Sequence, residues 1–273
     1  MDERKRILLL AVGGAAVLSL LCLILPENLV NPYIVLMKPL TLFIGFIFAL
    51  QVASIYTGDL RKSFLFLSFF LLIYTLVNII AIGGQPLIQF LISIIGESGF
   101  SYILLLVQII DYAMLLGSCS YTVKVIDVKR MNRYGWAFIT LLTPLCAYIV
   151  YHSSQLKTAG NVVEPVVAVI LILINVIDMA VVLMLVPVLF LYLQYLKAKA
   201  QESITFTFIM GGLILNFFPV YIVELFAPAT RNLEGNPAMN AAYLFSYLIM
   251  AIGLYANRKY DEWGFKMIEK ALR

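Results

Sequence analysis

The placement of charge constrains this chain more than any other feature. Asp, Glu, Lys and Arg are absent from residues 7–26, 39–58, 63–96, 134–156, 203–223 and 235–257. About 20 apolar residues rising ~1.5 Å each cross the ~30 Å hydrocarbon core, and a backbone facing lipid must satisfy its hydrogen bonds within its own segment, which selects helices. Two further apolar stretches each carry one acid, Asp111 and Asp178. Soluble classes fall away, because 63% of the residues are hydrophobic and 12% charged, whereas a soluble domain has roughly 45–50% apolar and about 25% charged residues. The sequence thus predicts an all-α polytopic integral membrane protein, a single bundle of about eight transmembrane helices near 7–25, 34–56, 64–82, 101–126, 136–152, 165–196, 204–226 and 238–257. A short apolar segment near 86–96, after Gly83-Gly84-Gln85-Pro86, cannot span and is expected to be interfacial or re-entrant.

With eight spans, 16 of the 19 Lys and Arg residues fall on one side; the other side holds Lys38, Lys157 and Arg231. The positive-inside rule then places both termini in the cytoplasm of a cell membrane, and seven or nine spans break it. The same asymmetry makes the lipid bilayer, not nucleic acid, the partner of the basic residues. Met1 to Arg6 followed by an apolar run imitates a signal peptide, but Leu21-Cys22-Leu23-Ile24 offers no small-residue cleavage site, so an uncleaved first helix is expected. Gly13-Gly14-Ala15-Ala16 within it is expected to let a neighbouring backbone approach. Cys22, Cys119 and Cys146 have no pairing or metal-ligand spacing. Tyr56, Tyr121, Tyr192, Tyr195 and Tyr255 fall near cytoplasmic span ends, where an aromatic belt belongs. The tail 258–273 mixes Trp263, Phe265, Met267, Ile268 and Leu272 with basic residues and is expected to lie on the membrane surface as a short amphipathic helix.

The chemistry-bearing residues are few. Asp111 and Asp178 lie about ten and twelve residues into spans of the same direction, near the bilayer midplane. An ionisable group there costs at least about 2.5–3.5 kcal/mol and generally faces a bundle interior or a watered cavity. Gln108 precedes Asp111 by three residues and Asn175 precedes Asp178 by three, so residues 107–116 and 174–183 read as a weak parallel repeat, of the kind that places a substrate site between halves. Ser118 and Thr122 extend the stripe of Asp111. The seventh span adds Asn216 and Glu224 on one face, the eighth adds Asn240, Tyr243 and Tyr247, and Lys38 matches Glu224 in depth. The set Asp111, Asp178, Gln108, Asn175, Asn216, Glu224 and Lys38 forms the candidate substrate or ion site. The competing reading is that each acid simply bonds a neighbouring helix. His152 stands alone at a span end, and Gly117-Ser118-Cys119-Ser120 lacks a nucleophile elbow and a base, so no metal, cofactor or nucleophilic chemistry is called for.

At the head of the second span, Lys38-Pro39-Leu40-Thr41-Leu42 resembles the start of that helix in the multi-pass lysoplasmalogenase family. The resemblance covers five residues and implies an intramembrane lipid hydrolase. That family's Gly-Asp and Ser-Asp helix motifs have no matching positions in the third and sixth spans, so no site residue is carried over. The later spans also lack a retinal-type lysine. Three functions follow in order of support. The first is a small-solute or proton- or cation-linked transporter using the midplane acids. The second is a receptor-like sensor or accessory subunit working through a membrane-protein or cytoplasmic partner, and the third is the lipid hydrolase.

Overall fold

The computed structural model describes residues 3–82, 84–125, 131–158, 165–197, 201–226 and 236–263. Among them are nine helices and no strand: α1 (Glu3–Ile24), α2 (Glu27–Ile55), α3 (Gly58–Ile82), α4 (Gly84–Ile95), α5 (Glu97–Val125), α6 (Arg133–Thr158), α7 (Pro165–Lys197), α8 (Gln201–Phe226) and α9 (Pro237–Trp263). Seven of these, all but α4 and α8, are long and apolar enough to cross a membrane. Helix α8 has 26 residues, with a described apolar stretch at Thr205–Phe217. Helix α4, at 12 residues, is too short to span and is strongly amphipathic, matching the segment expected near 86–96.

Local chemistry sets the joints. Gly58 and Gly96 adopt φ of 64° and 77°, a left-handed conformation open to glycine, and reverse the chain into α3 and α5. Pro165 and Pro237 open α7 and α9, where a missing N–H costs no helical bond. Asn236 Oδ1 accepts from the N–H groups of Ala238 and Met239 at 2.9 and 3.4 Å and caps α9. Inside α2, α6 and α7, Pro32, Pro39, Pro144 and Pro187 are carried without a break. Helices therefore run past the boundaries that charge and proline predict. Helix α2 starts at Glu27 rather than 34, α6 reaches Thr158 rather than 152, and α9 continues to Trp263, so the predicted surface helix begins as an extension of α9. Residues 264–273 of that tail lie outside the described residues.

Helices α2, α3, α5, α7, α8 and α9 follow one another around a closed ring, each packed on the next and α9 returning to α2. Outside it, α1 packs on α9, α6 on α7 and α8, and α4 on α5 and α3. Helices α8 and α9 meet closely, backbone against backbone. A Cβ on Gly212 would stand 2.9 Å from the Ser246 carbonyl oxygen, and one on Gly253 would stand 2.9 Å from the Ile209 nitrogen. Small residues at such contacts let backbones meet. The glycines expected to do this, Gly13 and Gly14, have nothing within 4 Å; they are exposed, because α1 meets α9 through other faces.

Two polar networks fasten the ring. Ser63 on α3 donates to the Ser118 carbonyl at 2.9 Å and bonds the Thr122 hydroxyl at 2.6 Å, tying α3 to α5. Away from the α4 end, the Tyr56 hydroxyl donates to Asn257 Oδ1 at 2.9 Å, and Asn257 Nδ2 donates to Thr205 Oγ1 at 3.1 Å, joining the end of α2 to α9 and α8. Tyr56 thus does more than mark a belt; its ring also stacks on Phe64 at 5.5 Å. The side chains of Tyr192 and Tyr195 lie outside the described residues.

Candidate functional site

Inside the ring the helices do not close completely. A cavity of about 270 Å³ lies where α3, α5 and α8 face one another. Its polar lining comes from Tyr74 on α3, Gln108, Asp111 and Tyr112 on α5, and Asn216 on α8. Its apolar lining is Phe70, Val77, Leu104 and Phe217. Helical spacing explains the arrangement. Gln108 and Asp111 are three residues apart, as are Tyr74 and Val77, so each helix turns one stripe inward. Gln108 is exposed and forms the rim, whereas Asp111 and Asn216 retain only 6% and 7% of their surface.

These two buried residues hold unsatisfied acceptors. Asp111 Oδ1 and Asn216 Oδ1 have no hydrogen-bond partner among the described residues. A buried oxygen without a donor is costly and uncommon in a folded protein. The networks at Ser63 and Asn257 satisfy their polar groups, while Gln51 Oε1, His152 Nδ1 and Ser246 Oγ are, like Asp111 Oδ1 and Asn216 Oδ1, buried without a hydrogen-bond partner among the described residues. Asp111 and Asn216 differ from those three in lining one cavity, to which α5 and α8 bring them from positions remote in sequence.

The remaining expected site residues separate into two places. Asn175 and Asp178 are buried at 0% and 6% exposure on α7 and engage partners in the bundle, but they do not line the cavity. Lys38 on α2 donates to Asn240 Oδ1 on α9 at 2.5 Å, and its ammonium lies 5.1 Å from the centre of the Tyr243 ring. Tyr243 stacks on Tyr247 at 6.3 Å, and Tyr247 meets Tyr74 edge-on at 5.9 Å. A run of tyrosines therefore leads from Lys38 across α9 to the cavity wall. The side chain of Glu224 lies outside the described residues.

No protein-family model, curated protein or solved structure matches this chain. The site therefore rests on its own geometry. Three of the residues singled out from the sequence, Asp111, Gln108 and Asn216, line this cavity, and their amide and acid groups are conspicuous in apolar helices. The aromatic lining, Phe70, Tyr74, Tyr112 and Phe217, is not singled out by the sequence. In runs such as Phe69-Phe70-Leu71-Leu72-Ile73-Tyr74, an inward ring has the same composition as a lipid-facing one. Only the position of Tyr112, beside Asp111, carried a signal.

Proposed function

We propose that this chain is an eight-span protein of the cell membrane with both termini cytoplasmic, and that it carries a small solute bound in the Asp111 cavity. The observation that carries the reading is the pair of buried, unpartnered acceptors, Asp111 Oδ1 and Asn216 Oδ1, on one cavity wall. A group retained at midplane depth against its insertion cost, and left unbonded by its neighbours, is suited to receive something that enters. Support for eight spans comes from the length of α8, 26 residues against the ~20 needed, and from the segregation of 16 of 19 basic residues that this count produces.

The test is thiol chemistry at the cavity wall. In reconstituted protein, the Asn216→Cys variant should react with a small, membrane-impermeant methanethiosulfonate, because the thiolate forms only where water reaches. Reaction from both membrane faces is the result expected of a carrier. Reaction from one face alone marks a ligand-binding receptor, and an inert thiol in a folded variant removes the pocket altogether.

A further inference from the structure

We propose that the ligand of this cavity is a small organic ammonium ion, an inference that rests on reading the cavity as a solute pocket. The lining offers a recipe for such an ion. Its two unsatisfied atoms, Asp111 Oδ1 and Asn216 Oδ1, are both acceptors, one of them on a carboxyl, so the complement is a donor carrying positive charge. Around them stand four aromatic rings, Phe70, Tyr74, Tyr112 and Phe217, whose faces attract cations and shed water from alkyl groups.

Other ligand classes fit less well. A neutral apolar molecule leaves the acid unpaired, and an anion meets acceptors. A hard divalent cation calls for about six to eight oxygen ligands, whereas this wall has one carboxyl and a majority of carbon atoms. Size agrees with an organic cation. A cavity of ~150 Å³ holds benzene, so about 270 Å³ accommodates an amine with a compact alkyl or aryl body.

The molecule already holds one ammonium in this manner. Lys38 places its Nζ between the carboxamide oxygen of Asn240 and the face of Tyr243, on α2 and α9, which adjoin α3 and α8 in the same ring. The cavity repeats those elements, a carboxamide oxygen and a tyrosine face, and adds a carboxyl, which suits a cation supplied from outside.

Titration of the full chain in nanodiscs tests the inference, with butylammonium and tetramethylammonium as probes, butanol and tert-butanol as their neutral counterparts, and sodium as the inorganic control. Wild type should bind the ammonium probes at least about tenfold more tightly than the alcohols. Asp111→Asn should abolish that preference, and Phe70→Leu and Phe217→Leu should each weaken ammonium binding by about threefold or more. Phe138→Leu, a ring loss outside the cavity where Phe138 packs on Phe190, should leave ammonium binding unchanged, and unaltered thermal melts of the Phe70 and Phe217 variants separate ring loss from misfolding. Equal binding of ammonium and alcohol, or binding of sodium alone, overturns the ammonium assignment while leaving a solute pocket. Failure of every probe together with an unreactive Asn216→Cys thiol removes both.

Discussion

At the scale of single residues, buried polar groups in this bundle differ in whether the protein itself satisfies them, and stability should report the difference. Asn257 links Tyr56 and Thr205 from two other helices. Asn257→Ala removes one hydrogen bond from each hydroxyl, and a thermal melt in detergent should show a loss of about 1–3 kcal/mol. Ser63→Ala should cost less, about 0.6 kcal/mol, because the Thr122 hydroxyl, 3.0 Å from the Ser118 carbonyl, is placed to donate there once Ser63 is gone. Asn216 should behave in the opposite way. Its oxygen is already unpartnered among the described residues, so Asn216→Leu should leave the melting temperature unchanged or raised while weakening butylammonium binding; a loss of stability as large as that of Asn257→Ala would make Asn216 a packing residue. The sequence made half of this visible. Carboxamides and acids are rare enough in apolar spans to be noticed one by one, but whether a neighbour satisfies them depends on side chains about 50 to 200 positions away, as in Asn257 with Thr205 and Tyr56.

At the scale of helices, packing is decided by which glycines face a neighbour, and the sequence does not say which. Gly13-Gly14 and Gly211-Gly212 are the same dipeptide, each within an apolar stretch of helix. Gly212 lies against the backbone of α9, with Ser246 O and Met250 N at 2.9 and 3.0 Å from its notional Cβ, while Gly13 and Gly14 meet nothing. Adding a methyl at Gly212 or Gly253 must force α8 and α9 apart, since the obstacles include backbone atoms, Ser246 O and Met250 N at one and Ile209 N at the other, which cannot rotate aside. Gly253→Ala should therefore cost about 1–3 kcal/mol, whereas Gly13→Ala should be neutral or gain up to about 1 kcal/mol from helix propensity. Equal melting temperatures for the two variants would show that the α8–α9 contact does not bear on stability. Element existence was legible because charge-free runs of 20 or more residues have one solution in lipid. Element ends were less so, because helices α2, α6 and α9 run past prolines and polar side chains that would end them in water.

At the scale of the whole molecule, the remaining question is which way the ring is inserted, and the chain is well prepared for an answer. Its three cysteines, Cys22, Cys119 and Cys146, are all buried, so introduced thiols at loop positions report against a low background. Two joints give opposite expectations. Thr57, between α2 and α3, belongs with the basic loops; Gly96, between α4 and α5, belongs with the side poor in Lys and Arg. Because α4 does not span, α3 and α5 must carry Thr57 and Gly96 to opposite faces whatever the orientation of the bundle. Ser98, at the start of α5, serves better than Gly96 itself, since the φ of 77° at Gly96 disfavours any side chain. In intact cells an impermeant maleimide should label Ser98→Cys and spare Thr57→Cys, which should react only after permeabilisation. The reversed pattern would keep the fold and invert the cavity, so that Gln108 at its rim faces the cytoplasm. Labelling of both from one face would mean that α4 takes part in crossing the membrane, and the ring of six helices enclosing Asp111 would then need a different path through the bilayer.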